Sequence, residues 1–226
     1  MSIRARRRRR AALGATEPPD LARRLLAGDE ALFGQLVSQL HPTLRRLARA
    51  IVGNDATADE VAQETWKAVL RSLHGFGGRS TLRTWIHRVC VNVALARAGV
   101  DLRAPLLDTP LTDADEFDDA GSWRDPPAPW SDETPESMLL KREVVDSIRR
   151  AVEALPPGQR AVIMLRDFEG FTAAEACEVL GLTGANQRVL LHRARRRIRS
   201  SCHHLYRTVP EGEPEAVNGL GRRSAA

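Results

Sequence analysis

Residues 171–200 read "FTAAEACEVLGLTGANQRVLLHRARRRIRS". Two short helical patterns lie here, joined by the Gly181–Gly184 stretch "GLTG". Thr172 and Glu175 have the spacing of a capping box, which opens the first helix. Gly181 sits where the turn needs positive φ. In the second pattern Leu191, Ala194 and Ile198 recur at i, i+3 and i+7, one stripe of a helix. Arg188, His192, Arg195, Arg196 and Arg199 occupy the rest of its surface. Residues 182–200 hold six arginines and no acidic residue. A helix of this kind packs on one side and meets an anion on the other. With a partner helix just before it, the arrangement is a helix-turn-helix, and residues 184–200 read as a recognition helix facing DNA. Cys177 falls where two crossing helices need a small residue, so it reads as packing.

Working outward, "ESMLLKREVVDSIRRAVEAL" (136–155) is helical and is closed by "PPGQ"; "RAVIMLRDFEG" (160–170) follows. Residues 20–97 are helical throughout. In "DEALFGQLVSQLHPTLRRLARAIVG" (29–53), Leu32, Leu36, Leu40, Leu44, Leu47 and Ile51 keep three-to-four spacing. Pro42 predicts a kink there, and Gly53-Asn54 a stop. "ATADEVAQETWKAVLRSLHGF" (56–76) predicts a capping box at Thr57 and Glu60 and an apolar stripe from Val61 to Leu73. A glycine-rich loop, "GFGGRS", leads into a third helix capped by Ser80 or Thr81. It lacks the Lys-Ser/Thr ending of a phosphate-cradling loop. No segment alternates as a strand does. The expected fold class is all-α: two small helical domains joined by an acidic linker.

Charge divides the chain the same way. Residues 1–100 carry a net +9, residues 101–140 a net −9, residues 141–208 a net +6 and residues 209–226 a net −1. Two basic blocks around an acidic one imply two polyanion-binding modules and a spacer that must not bind the same polyanion. The expected layout is an Arg-rich disordered arm (1–19), a first domain (20–98), a Pro/Asp-rich linker (99–136), a second domain (137–205) and a polar tail (206–226). Cys90, Cys177 and Cys202 form no CxxC, which argues against a disulfide framework or zinc module. Neither a metal nor another cofactor is expected. No apolar run approaches the roughly 18 residues of a membrane span, so the expectation is a cytoplasmic protein without membrane insertion.

Three stretches carry a resemblance: "ADEVAQETWKAVLRSL" (58–73), "FGGRSTLRTWIHRVCVNVAL" (76–95) and "LPPGQRAVIMLRDFEGFTAAEACEVLG" (155–181) with the recognition helix. The chain resembles a bacterial RNA polymerase sigma factor of the extracytoplasmic-function group, over residues 25–98 (sigma-2-like) and 137–203 (sigma-4-like). One departure stands out. Relatives read something like "VGTVKSRLHRAR" where this chain has "GANQRVLLHRAR" (184–195), so Gln187 replaces an inward apolar residue.

The resemblance implies a non-enzymatic protein that binds RNA polymerase core (β and β′ subunits) and promoter DNA, with an anti-sigma factor as antagonist. Asp59, Glu60, Gln63 and Glu64 would then meet the polymerase, although acids at a helix start also complement its dipole. Arg79, Ser80, Thr81, Arg83, Trp85, Arg88 and Asn92 would serve the −10 element, where unstacked bases need an aromatic platform and cations. Trp85 reads equally as core. Asn186, Gln187, Arg188, His192, Arg195, Arg196 and Arg199 would serve the −35 element. The acidic linker reads either as a nucleic-acid mimic in the polymerase channel or as an inert spacer. A stand-alone helix-turn-helix regulator is the alternative; it requires a two-fold symmetric DNA site.

Overall fold

The computed structural model describes residues 21–102 and 145–206. The arm, most of the linker and the tail lie outside that range, with the expectations placed on them. The described residues contain helices and turns and no strand. In chain order they are α1 (Leu21–Leu26), α2 (Glu30–Val52), α3 (Asp55–Ser72), α4 (Leu82–Ala98), α5 (145–153), α6 (Pro157–Ile163), α7 (Ala173–Leu180) and α8 (Gly184–Tyr206).

Local chemistry sets the boundaries. Asp29 caps α2 by accepting from Leu32 N at 2.9 Å, and Gly53 ends it at φ 87°. Pro42 lies inside α2, which runs on as one 23-residue helix, so the expected kink does not break it. The cap of α3 also differs from expectation. Asn54 is the N-cap and accepts from Thr57 N at 2.8 Å, which places Thr57 and Glu60 inside the helix. An Asn side chain directly before the helix reaches those free N–H groups first. Thr81 caps α4, and Thr172 with Glu175 forms the full capping box of α7. Pro157 starts α6, where its missing N–H costs nothing. After Ile163 the helix widens into one π-type turn, Met164–Phe168, closed by Glu169 N donating to Met164 O at 2.9 Å.

Helices α2, α3 and α4 pack against one another as the first module; α6, α7 and α8 form the second. Leu44, Leu47, Ile86 and Cys90 are fully buried in the first, and Leu165, Phe171, Leu180 and Ala194 in the second. The two modules touch: α2 packs on α6 and α4 on α7, so one apolar core runs through both. Burial pushes the Cys90 thiol up to about 12, which leaves it inert. Cys177 is half-buried and its thiol is also raised, chiefly by burial.

Candidate nucleic-acid and polymerase interfaces

Helix α4 separates its side chains onto two faces. Thr81, Trp85, Arg88 and Asn92 follow one another at spacings of four, three and four, a single stripe. Arg88 and Asn92 are exposed, and Trp85 is half-buried against Phe76 with ring centroids 5.4 Å apart. Arg79 and Ser80 lie in the loop that leads into this stripe, where Gly78 takes φ 64°. The ridge thus offers an aromatic face, two exposed cations (Arg79 and Arg88) and an amide.

Arg83 does not join that ridge. Two residues from Trp85 is about 200° of helix rotation, which puts Arg83 on the opposite side. There its guanidinium lies 3.9 Å from the centroid of Phe171 and donates to Glu169 O at 2.8 Å. Arg83, expected among the −10 residues, thus contacts the second module in this structure. His87, which the sequence reading left out, shares this buried face. Its Nδ1 donates to Arg83 O at 2.8 Å, Thr43 Oγ1 lies 3.1 Å from Nε2, and the Phe171 ring packs edge-on at 4.9 Å. Burial, above all, depresses the imidazole pKa to about 3 and keeps it neutral. The signal for His87 was its place in the stripe Arg83, His87, Cys90, Ala94.

The acidic start of α3 is exposed but internally paired. Asp59 pairs with Arg45, which also holds Asp55 at 2.9 Å. Glu60 pairs with Arg97, and Glu64 with Arg71 at 2.6 Å and Lys67 at 3.4 Å. The Arg45 hydrogen bond lowers the Asp59 pKa, and that from Arg71 lowers Glu64. Gln63 is exposed beside them. These four residues form one surface, and its carboxylates are already in contact with arginines.

In α8 the buried stripe is Gln187, Leu190, Leu191 and Ala194. Gln187 is only 1 % exposed, and its Nε2 is buried without a hydrogen-bond partner. Gln187, expected among the −35 residues, thus faces the interior of the second module in this structure. Arg195, expected as a phosphate contact, is paired within the second module. Nε and Nη2 form a two-pronged pair with Asp167 at 2.9 and 2.6 Å, and its side chain is 10 % exposed. Arg188 and Arg196 are exposed, and Asn186, His192 and Arg199 half-buried. Thr183 Oγ1 accepts from Asn186 N at 3.2 Å and caps the helix. Two arginines absent from the sequence-based set, Arg193 and Arg197, line a cleft of about 630 Å³ with Gln159, His192 and Arg196. Their spacing of four in α8 was the available signal.

Among the described residues no helix is long and apolar enough to cross a membrane, and no group of three metal-ligating side chains is found. The family model for sigma-70 region 2 matches residues 36–98, and that for sigma-70 region 4 matches residues 146–198. The chain is 28 % identical over 191 residues to the RNA polymerase sigma-H factor of Pseudomonas aeruginosa, covering 83 % of this chain and 94 % of that one. It is equally identical over 191 residues to the ECF RNA polymerase sigma-E factor of Escherichia coli (83 % and 95 %). Two solved structures share the fold. CnrH in complex with the cytosolic domain of CnrY gives a TM-score of 0.52 at 22 % identity, covering 81 % of this chain and 96 % of that one. The sigma factor RpoE of Bartonella quintana, in complex with the anti-sigma factor NepR, gives 0.50 at 20 % identity (76 % and 96 %). Both regions thus match in the order the two helical modules take, and the chain belongs to the sigma-70 family as an extracytoplasmic-function sigma factor directing promoter-specific transcription initiation.

Proposed function

We propose that the two modules divide promoter recognition. The ridge of Arg79, Ser80, Thr81, Trp85, Arg88 and Asn92 takes the −10 element, and Asn186, Arg188, His192, Arg196 and Arg199 take the −35 element. The observation that carries this assignment is the paired exposure of an aromatic–cationic ridge on α4 and of Arg188 near the start of α8. Arg79 and Arg88 neutralise backbone phosphates while the Trp85 face accepts an unstacked base. Arg188 lies in the part of a recognition helix that enters the major groove. The chain supplies binding free energy and geometry, performs no covalent chemistry, and acts in the cytoplasm without a cofactor.

Polymerase core, through its β and β′ subunits, meets the α3 surface of Asp59, Glu60, Gln63 and Glu64. Basic groups on the core then replace Arg45, Arg97 and Arg71 as partners of these carboxylates, an exchange of exposed ion pairs that costs little. An anti-sigma factor is a fitting antagonist, since RpoE of Bartonella quintana was solved in complex with one, NepR.

The deciding experiment adds the purified chain to core polymerase and follows run-off transcripts from a bipartite promoter. Promoter-dependent transcripts support the reading; tight binding of the isolated chain to a two-fold symmetric duplex, with no transcripts, identifies a stand-alone regulator instead. Reversing Asp59 and Glu60 together to Lys should weaken competition for core while circular dichroism stays helical. Equal competition by that variant removes the α3 surface from the core interface.

A further inference from the structure

We infer that the cleft between α5 and the second half of α8 is a binding site for a nucleotide-like ligand, one with phosphates at one end and a hydrogen-bond donor at the other. The cleft holds about 630 Å³, inside the range of about 300–1,000 Å³ usual for small-molecule sites. Ala151 and Leu155 give it an apolar wall, and α8 contributes Arg193, Arg196 and Arg197. None of the described residues that line it is acidic, so the cleft selects for negative charge.

Charge alone would describe any basic helix, and Gln159 makes this cleft specific. It lines the same space, is 4 % exposed, and keeps its Oε1 buried without a hydrogen-bond partner. Buried amide oxygens are nearly always given a donor, and an apolar residue of similar length would close these helices at lower cost. An ionised phosphate brings only acceptors, so the donor for Gln159 comes from the other end of the ligand. The amino group or ring N–H of a nucleobase fits that need, and the wall of Ala151 and Leu155 offers its flat ring an apolar surface.

This site stands apart from the proposed major-groove face. At about 100° of rotation per residue, Arg193 and Arg197 lie roughly 140° and 180° around α8 from Arg188. A duplex held against Arg188 therefore leaves the cleft open. His192 and Arg196 form the edge common to both faces, since they line the cleft and belong to the proposed −35 set. The consequence rests on that assignment: a ligand that draws Arg196 into the cleft takes a phosphate contact away from the promoter. The ligand is bound and released unchanged.

Isothermal titration of the full chain with adenosine or guanosine triphosphate, free of DNA and divalent metal, tests the site directly. Nucleotide should bind in a one-to-one ratio. Inorganic tripolyphosphate should bind several-fold more weakly, because it brings the charge without the donor. Arg197→Ala should weaken both kinds of probe several-fold, whereas Gln159→Leu should weaken nucleotide and leave tripolyphosphate as it was. Circular dichroism should stay helical in both variants; should Gln159→Leu misfold, Gln159→Met replaces it, and the exposed Arg197 reports in either case. Binding of neither nucleotide overturns the proposal. So does tripolyphosphate bound as tightly as nucleotide, or an affinity for nucleotide unchanged by Arg197→Ala or by the Gln159 variant. The effect on the promoter is scored separately, as the −35 affinity of holoenzymes carrying the wild-type or the Arg197→Ala chain, with and without added nucleotide. Every other nucleotide site is common to the two, so their difference reads the cleft. A loss confined to wild type supports the competition with DNA; an equal response rejects it and leaves the titration result standing.

Discussion

Gln187 and Arg188 are neighbours with opposite fates. Gln187 points into the core with an unpaired Nε2, and Arg188 stands in solvent. A buried amide donor without a partner costs about 1–3 kcal/mol, and an unbranched apolar side chain of similar length does not incur it. Gln187→Met should therefore raise the denaturant midpoint, by roughly 1 kcal/mol of stability, with an unchanged m-value. Promoter binding by the holoenzyme should stay as it was; a loss of sequence discrimination would return Gln187 to the reading surface. Arg188→Ala should cost about 1–3 kcal/mol on the cognate −35 element and little on altered ones, the pattern of lost base readout. Arg196→Ala should weaken all sequences alike and reduce the slope of affinity against salt by about one. Holoenzyme binding across base substitutions and salt concentrations checks both, and uniform loss for Arg188→Ala assigns base reading elsewhere.

At the scale of elements, a boundary is decided by which side chain reaches the free N–H groups. In α7 the box of Thr172 and Glu175 was legible, and Glu175 Oε2 accepts from Thr172 N at 2.7 Å. In α3 the same spacing at Thr57 and Glu60 misled, because Asn54 stands three residues earlier and takes the cap. Asn54→Ala should lose about 1 kcal/mol, whereas Thr57→Ala should lose clearly less. Chemical denaturation of the two variants gives the ranking, and a larger loss at Thr57 would restore the capping box. The α4 helix shows a subtler limit. Its residues were assigned to one functional group by proximity in sequence, but 3.6-residue periodicity distributes them over two faces. Trp85, Arg88 and Asn92 went to one, Arg83 and His87 to the other.

At the scale of the whole molecule, His87 records the closeness of the modules in its protonation. Its folded pKa, about 3, lies below the unfolded value of 6.5, so the folded chain binds fewer protons there. The stability this contributes is whole above pH 6.5 and is lost as pH falls toward 3. Asp29, Asp59 and Glu64 also have lowered values, but they matter below the ordinary carboxylate range of 3.8 to 4.5. The interval between 4.5 and 6.5 therefore belongs largely to His87. Urea unfolding across that interval should show stability declining with falling pH, and His87→Gln should flatten the decline. An equal slope in the variant would place the titration on another group.

Periodicity and caps were enough for the all-α class and the helix-turn-helix, because each depends on residues within a few positions of one another; the family came from the resemblance carried by residues 58–73, 76–95 and 155–181. Gly181 at φ 65° and the Leu191–Ala194 stripe follow from local sterics and burial alone. The partners of Arg83, Arg195 and Glu169 were not legible, since these contacts form across 28 to 123 positions and many other acceptors would satisfy an arginine equally well. Tertiary packing chose among them. By bringing α4 against α7 and α2 against α6, it set Arg83 against the second module, because only in the folded chain do Phe171 and Glu169 come within reach of Arg83.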